Sequence, residues 1–476
     1  MPAFPEEILL EIFQHLTIRG RLTVSRVCRQ WRRLSLVDVQ EFAIGSKDLE
    51  ALDRHLPMTN HFISDDEMKR LHILNLVLNR CGRSLRKLQL SGLDLVDHPR
   101  SKIVNPKPLA FYVLFLDTVQ LLIKNCTNLR ILIFDAQCKL QETIFQAILA
   151  NLGHQLTELY FGDAQTLREC SLQLAMDYLK PNQIRKLSIS FPSIHDEINF
   201  FSRFPHLTSL TVNQGGRHFE VLSTNTNITN FSVCNSLYSG GKESLSDSFL
   251  SKLRSFRVNN WVHFATGSIP KAPEWLLQLG SLEVLSVGLN FGWQVKMLAD
   301  HLPKLKEVSL RLFFLEIEDP FAPLLKLKNL KVIRLGWFLE YFLKMNFKRA
   351  CSLSQVTFLE MFFDDLHFCQ EEDITSFLSS LPRMFPNLQH FDVCAHTFRP
   401  KTLLTKLKQL KKLKRFALTT CNTHDDFVQN RLIPVCNRKN IQLLWDNRYP
   451  HKNRTFDRIE QTQLHWARLE RVWSFE

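Results

Sequence analysis

A short pattern of apolar and polar positions recurs along most of the chain. Each copy has an apolar residue, two others, a second apolar residue, one other and a third apolar residue, as in LRKLQL from Leu85 and LKRFAL from Leu413. Thirteen copies occur from the first of these to the last, at a mean period of about 27 residues. The pattern predicts a short, half-buried strand in each copy, and the rest of each period leaves room for a returning helix. The chain is therefore predicted to be a solenoid, in which each repeat packs on its neighbours.

Other apolar segments extend this prediction at both ends. Val39, Phe42 and Ile44 predict a first strand, with a helix over residues 66–79. Residues 441–445 predict a last strand, and the helical pattern of 457–473 predicts a cap over the final core, with binding to a partner as the alternative. The long interval between Leu85 and Leu129 contains apolar residues 109–123, which indicate either a degenerate repeat or an enlarged helix.

The first forty residues have a different, helical periodicity. Two apolar stripes at helical spacing are separated by a break, and Pro5 stands where a helix start tolerates proline. The first stripe comprises Ile8, Leu9, Ile12, Phe13 and Leu16, and the second comprises Val24, Val27, Cys28, Trp31 and Leu34. A segment this short cannot bury enough apolar surface to fold stably alone. We therefore expect it to complete its core against a partner, and the alternative is a helical hairpin packed on its own chain.

This segment resembles an F-box. Phe4-Pro5-Glu6-Glu7-Ile8 is similar to the family's opening Leu-Pro-x-Glu-Ile/Leu, Ile12-Phe13-x-x-Leu16 to its centre, and Val27-Cys28-Arg29-x-Trp31 to its close. The resemblance implies an F-box over residues 1–40 that binds the Skp-type adaptor of cullin-RING ubiquitin ligases. By the same resemblance, the adaptor-binding residues are Pro5, Ile8, Leu9, Ile12, Phe13, Leu16, Val24, Val27, Cys28, Trp31 and Leu34. Gly20 and Arg21 depart from the family, which more often has an acidic residue and a leucine there.

The repeats resemble leucine-rich repeats. The resemblance implies an α/β fold over residues 41–445: an irregular solenoid, or horseshoe, with short parallel strands on the concave face and helices on the convex face. Residues 446–476 would be a C-terminal cap helix or tail. The asparagine or cysteine that usually follows the strand is present as Asn290 and Cys421 but replaced elsewhere, for example by Trp261. Since that side chain normally satisfies backbone groups in the turn, we expect uneven loops.

Composition and charge narrow the function classes. Hydrophobic residues make up 45% of the chain and charged residues 22%, as in a folded protein. There is no apolar run of eighteen residues, so no transmembrane segment is predicted, and the acidic N-terminus is unlike a secretory signal. The eleven cysteines lack a C-x-x-C pair, which favours reduced thiols and a cytoplasmic or nuclear location, or both.

The net charge of +13 favours acidic partners. Nucleic acid or anionic lipid would account for it as an alternative, with binding that falls steeply with salt. No RNA-binding signature accompanies the charge, so neither is our expected partner.

Strand residues that do not face the core are candidates for binding a target protein. Early repeats have mostly small polar residues at these positions, whereas later repeats have arginines and aromatic residues. The predicted substrate-binding residues are Arg257, Trp261, Arg311, Arg334, Trp337, Phe358 and Phe362. Arginine together with exposed aromatic residues is the composition of interface hot spots. The alternative is that the aromatic residues fill the cores of irregular loops.

Motifs of catalysis are absent from the sequence. It contains no G-x-x-x-x-G-K-[ST], G-x-G-x-x-G, H-E-x-x-H or G-x-S-x-G. We therefore expect no catalytic residues, no cofactor, no metal and no small-molecule substrate. The predicted function is substrate recognition for a Skp-cullin-F-box ubiquitin ligase, with the adaptor linking the chain to cullin and RING subunits and the repeats holding an unidentified target protein. The alternative is an F-box scaffold for protein interactions outside any ligase.

Overall fold

The structure is a computed structural model of the 476-residue chain. It describes residues 5–16, 18–25, 27–37, 39–44, 65–90, 94–95, 109–134, 139–140, 142–161, 171–189, 203–212, 227–233, 247–258, 278–289, 292–312, 319, 321–337, 347, 349–363, 371–394, 400–419 and 427–446. The chain divides into two compact units, Met1–Asn227 and Ile228–Glu476. The predicted C-terminal helix at 457–473 lies outside the described residues, and so does Trp261.

The first unit begins with three short helices and continues as alternating strands and helices. Its helices are α1 (Glu6–Gln14), α2 (Ile18–Val24), α3 (Arg29–Leu34), α4 (Asp65–Cys81), α5 (Leu109–Asn125), α6 (Glu142–Leu152) and α7 (Ser171–Tyr178). Its strands are β1 (Glu41–Ile44), β2 (Lys87–Leu90), β3 (Asp94–Leu95), β4 (Ile131–Phe134), β5 (Lys139–Leu140), β6 (Glu158–Phe161), β7 (Lys186–Ile189) and β8 (Ser209–Val212). The predicted strand before residue 45 and the helix after it are both present, and the long interval contains an enlarged helix, α5.

The second unit has longer strands and fewer described helices. Its strands are β9 (Asn230–Val233), β10 (Ser255–Val258), β11 (Val284–Leu289), β12 (Glu307–Leu312), β13 (Val332–Trp337), β14 (Phe358–Phe363), β15 (His390–Cys394), β16 (Arg415–Thr419) and β17 (Gln442–Asp446). Its helices are α8 (Asp247–Lys252), α9 (Gly292–His301), α10 (Glu371–Met384), α11 (Pro400–Gln409) and α12 (Ile433–Arg438). A 3₁₀ turn at Ala322–Lys326 and a π-helical turn at Val428–Leu432 replace regular helix in two repeats.

The strands pair in chain order, and every described pair is parallel. In the first unit the order is β1-β2-β4-β6-β7-β8, with β3 and β5 forming a separate small pair. In the second unit the order runs from β9 to β17 without a crossover. Each of the thirteen sequence motifs coincides with one strand. The predicted α/β fold, with an open sheet of short parallel strands of the solenoid type, is thus confirmed.

The core lies between the strands and the helices of each unit. Leu88 and Leu90 of β2 are buried, as are the two equivalent residues in each of β4, β12 and β16. In the first unit Phe134 of β4 meets Phe145 of α6 edge to face at 5.6 Å. In the second, Phe231 of β9 meets an α8 phenylalanine, Phe249, at 6.4 Å. The helices cover the apolar face of the strands, which explains why each six-residue motif is followed by a returning segment.

Side-chain amides tie successive repeats together at a position that the sequence analysis did not single out. An asparagine or glutamine stands directly before the first apolar residue of several motifs and donates to a carbonyl of the preceding repeat. Asn128 donates to Arg83 O at 2.7 Å, and Gln155 to Cys126 O at 2.8 Å. The same contact is made by Gln183, Asn227, Gln355 and Asn387. These amides satisfy carbonyls that the short strands leave unpaired.

The three N-terminal helices continue directly into the first repeat. Leu36 and Val39 follow α3 and are almost fully buried. The Ser84 hydroxyl donates to Val39 O at 3.1 Å, and the backbone of Arg86 donates to Gln40 O at 2.7 Å. The start of β1 is thereby hydrogen-bonded to the segment before β2.

Candidate protein-interaction surfaces

The N-terminal helices build a small core of their own. Leu9, Phe13 and Leu34 are buried together, and Leu10, Leu16, Val24 and Trp31 pack around them. The rings of Phe13 and Trp31 meet edge to face at 5.4 Å, with an interplanar angle of 71°. Three of the predicted adaptor-binding residues, Leu9, Phe13 and Leu34, therefore lie in the interior of the helical segment. Their contribution is to hold the other residues in position.

A second group of predicted residues is left open by this packing. Ile8 and Ile12, one helical turn apart on α1, are 48% and 47% exposed, and Val27 is 65% exposed. Pro5 and Cys28 are exposed as well. Helix α1 therefore has two apolar faces: Leu9 and Phe13 face inward, whereas Ile8 and Ile12 form an apolar stripe toward solvent. Exposed large apolar side chains in a stripe are typical of a contact surface.

Arg21 explains how the segment tolerates its departure from the usual pattern. Its side chain is buried, and its guanidinium donates to Leu16 O at 3.4 Å and to Val37 O at 3.3 Å. These bonds join the end of the first helix to the chain after α3. A long side chain with several donors therefore links backbone groups where a leucine would supply only apolar contact.

Two polar contacts set the position of α3. Cys28 is its N-cap, and the Cys28 sulfur accepts from the Trp31 amide at 3.4 Å. Glu6 of α1 forms an ion pair with Arg33 across the two helices. Since both charged side chains are largely exposed, this pair adds little stability and mainly favours one arrangement of the helices.

In the first unit the strand face opposite the core is less uniformly polar than the sequence analysis expected. Ser188 is buried and Ser209 half-buried, as for a passive lining. Ile133 also lies on this face, in register with Tyr160. The Tyr160 hydroxyl donates to Glu158 Oε2 at 3.2 Å, and burial raises the pKa of Tyr160 well above its usual value.

The same face of the second unit carries charged side chains in an alternating arrangement. Glu307 of β12 forms an ion pair with Arg257 of β10 at 3.5 Å and a second ion pair with Arg334 of β13. Arg334 continues to Glu360 of β14, with Nε 3.2 Å from Oε2. Its guanidinium carbon also lies 5.3 Å from the centroid of the Phe358 ring, a cation–π distance. Two of the three predicted arginines are thus joined through acids of their own chain.

The remaining predicted residues of this face divide into two groups. Phe358 is buried beside Arg334, with 6% of its surface exposed. For Arg311, Trp337 and Phe362 the structure describes the backbone alone: Arg311 stands in register between Gly288 and Gly336, and Phe362 is in register with Gly336 and Cys394. Sequence reasoning missed Glu307 and Asp392, although both occupy outward motif positions that register brings near the arginines.

Neither a cluster of metal ligands nor a membrane-spanning helix is found in the part of the chain that the structure describes. There, no group of three or more histidine, cysteine, aspartate or glutamate side chains could hold a metal ion. None of the helices described has the length and apolar character needed to cross a bilayer.

Comparison with known proteins identifies the N-terminal segment. No curated protein matches the chain. A crystal structure of a Bacteroides fragilis protein matches at 13% identity with a TM-score of 0.29, covering 59% of this chain and 78% of that one. A family model described as F-box-like matches residues 1–39, the segment that contains α1, α2 and α3. The chain therefore carries an F-box-like domain at its N-terminal end, which indicates a role in protein interaction.

Proposed function

We propose that this chain is the substrate-recognition subunit of a Skp-cullin-F-box ubiquitin ligase. The F-box-like domain would dock on a Skp-type adaptor, and through it on cullin and RING subunits. The second part of the proposal is that the strands and returning helices are leucine-rich repeats that bind a target protein for ubiquitination. We further propose that it acts in the cytoplasm or the nucleus, where such ligases assemble.

The observation that carries the docking proposal is the exposed stripe of Ile8 and Ile12 on α1, together with the exposure of Val27 before α3. The same helix buries Leu9 and Phe13, so the stripe is held rigidly by a packed interior rather than by a flexible segment. Burial of an aliphatic side chain contributes about 1.5–3 kcal/mol. The two isoleucines of this stripe would thus supply part of the apolar contact with an adaptor.

On this proposal the chain has no bond-breaking chemistry of its own. Its contribution to the reaction would be to hold a target lysine near the ubiquitin-loaded enzyme, which raises the effective concentration of the lysine. The described helices and strands fit that role, because a buried connection through Leu36 and Val39 joins the F-box-like domain to the first repeat of its unit.

Docking is tested by pull-down of a purified Skp-type adaptor with full-length Ile8→Asp and Ile12→Asp. Each substitution places a carboxylate in the exposed stripe and should abolish binding while leaving the circular dichroism spectrum unchanged. Leu325→Asp is the matched control, because Leu325 is 46% exposed in the second unit and lies outside the F-box-like domain. Adaptor recovery at the wild-type level with both isoleucine variants would contradict the docking assignment.

The ligase role needs a separate experiment. Cullin should co-purify with the wild-type chain and be lost with Ile8→Asp. Proximity labelling with and without proteasome inhibition should then reveal proteins that accumulate near the wild-type chain only under inhibition. Adaptor binding without cullin would instead indicate a scaffold outside the ligase.

A further inference from the structure

Asp392 lies in a row of side chains that crosses the outward face of five neighbouring strands. One residue from each of β13 to β17 contributes to this row through the parallel register. The central row comprises Arg334, Glu360, Asp392, Ala417 and Leu444.

The acids before Asp392 in this part of the sheet have arginine partners within the chain. Glu307 pairs with Arg257 and Arg334, and Glu360 pairs with Arg334. Ion pairs of this kind offset the cost of removing charged groups from water. Their presence shows what a carboxylate on this face requires.

Asp392 lacks that compensation. Its exposed fraction is 4%, yet neither carboxylate oxygen accepts a hydrogen bond. Among the described residues it takes part in no ion pair, and Arg415 and Arg334 act on it only at longer range. Burial raises the pKa of this carboxyl to about 6 against the opposing effect of those two arginines. A buried acceptor without a donor is costly, so the folded chain alone gives this carboxylate no stabilising role.

Along this row, exposure increases from Asp392 toward the end of the sheet. Ala417, its register partner on β16, carries only a methyl group and is half-buried. Leu444, next in the row on β17, is 38% exposed. The row thus passes from buried side chains at Glu360 to solvent at Leu444 within three strands. A side chain of a bound protein would therefore have to approach Asp392 from the side of Ala417.

We propose that Asp392 is the anchor for an arginine side chain of the target protein, which enters over Ala417. A guanidinium presents two parallel N–H donors, and Asp392 offers two carboxylate oxygens that both lack donors. Binding would complete the alternation of acid and arginine that begins at Arg257 and Glu307. The inference rests on the proposed function, since it assigns the chemistry by which the repeats recognise a target.

The test measures binding of short peptides to the full-length chain by fluorescence anisotropy. The peptides have randomised flanks and a fixed central residue, which is arginine, lysine, or citrulline as the uncharged analogue of arginine. Arginine-centred peptides should bind at least about tenfold more tightly than citrulline-centred peptides, the ratio expected for a charge-assisted pair in a buried site. Lysine-centred peptides should be intermediate, because an ammonium does not match two oxygens at once.

Variants decide whether Asp392 is responsible. Asp392→Asn should remove the preference for arginine over citrulline, and Ala417→Leu should weaken arginine-centred peptides by closing the path. Glu283→Gln removes the same charge from an acid that pairs with Arg254 and Lys306, and it should leave the preference intact. Equal binding of arginine and citrulline peptides to the wild type, or an equal loss in Asp392→Asn and Glu283→Gln, would overturn the proposal. Adaptor pull-down does not involve Asp392, so failure of the docking proposal would be seen separately.

Discussion

Arg334 of β13 and Glu360 of β14 form an ion pair, with Nε 3.2 Å from Oε2, and both side chains are almost completely buried. They occupy directly opposite positions in the parallel register. Arg334 also pairs with Glu307 on its other side, so one guanidinium links three strands. A residue that the sequence presents as a candidate for binding a target therefore also holds the sheet together.

Removal of one member of this pair should destabilise the second unit. Glu360→Gln leaves the buried Arg334 with one acid fewer, and we expect a loss of about 2 kcal/mol or more in the free energy of unfolding, measured by urea denaturation. The double variant Arg334→Met with Glu360→Gln should lose less than the sum of the two single changes, because it leaves neither charge buried alone. Additive losses would show that the two side chains do not interact.

The stability of the chain should depend on pH through Asp392. Its pKa in the folded chain, about 6, lies above the ordinary value of 3.8, so the folded state holds this proton more tightly than the unfolded state. The resulting stabilisation is fully present below pH 3.8 and is lost as the pH rises through about 6. Asp392→Asn should therefore be more stable than the wild type above pH 6, by up to about 3 kcal/mol, and nearly equal to it near pH 4.

The expected pH dependence is checked by urea unfolding of both proteins between pH 4 and pH 8, a range that runs from near the ordinary pKa of 3.8 to above the folded pKa of about 6. A constant difference between them across that range would contradict it. If Asp392→Asn is more stable than the wild type but has lost its preference for arginine peptides, then the Asp392 carboxylate contributes to binding and lowers the stability of the fold.

The two kinds of F-box-like residue should respond differently to substitution. Phe13→Ala removes a buried ring that contacts Trp31 and should destabilise the three helices by about 3–5 kcal/mol. Ile12→Asp changes an exposed residue on the same helix and should leave that stability within about 0.5 kcal/mol. Hydrogen exchange of α1 amides separates the outcomes: exchange should accelerate in Phe13→Ala and stay at the wild-type rate in Ile12→Asp. Acceleration in both would mean that Ile12 is part of the interior.

Cysteine reactivity offers a probe of the docking surface without substitution. Cys28 is exposed at the start of α3, whereas Cys81, Cys126 and Cys436 are buried. Burial raises the pKa of Cys81 and Cys126 to about 12 and that of Cys436 to about 11, so these thiols stay protonated and should react slowly. A maleimide should modify Cys28 before these three buried cysteines, and adaptor binding should protect it, as followed by mass spectrometry. Unchanged Cys28 labelling in the complex would place the adaptor elsewhere.

The strands could be predicted from the sequence, but most of the charge pairing could not. A period-2 pattern inside a longer repeat is a local signal, and it located thirteen of the fifteen strands from β2 to β16; the two-residue strands β3 and β5 were not predicted. The register follows the motif positions, since Arg334 and Glu360 are both fifth in their motifs. The pairs of Glu307 with Arg257 and Arg334 run diagonally between strand positions, and the sequence does not show which diagonal neighbours come within ion-pair distance. The arginines therefore looked unpaired, and Glu307 and Asp392 were missed.

The same reasoning applies to the N-terminal helices. Helical spacing placed Ile8, Leu9, Ile12 and Phe13 on one broad stripe, and the structure divides that stripe into an inward and an outward half. Periodicity alone does not make this division, because the direction of burial depends on where α3 crosses α1. The role of Arg21 depends on the carbonyls of Leu16 and Val37, which are brought together only by folding.

The burial of Leu36 and Val39 means that residues 1–40 cannot be excised cleanly. A fragment cut after residue 40 would expose the aliphatic side chains of Leu36 and Val39, and the truncated remainder would lose the Val39 and Gln40 carbonyls that accept hydrogen bonds from Ser84 and Arg86. An adaptor bound to the exposed stripe would consequently be coupled to the first repeat as well. Motion of the helices would be coupled to motion of the first repeat through the hydrogen bonds to Val39 and Gln40.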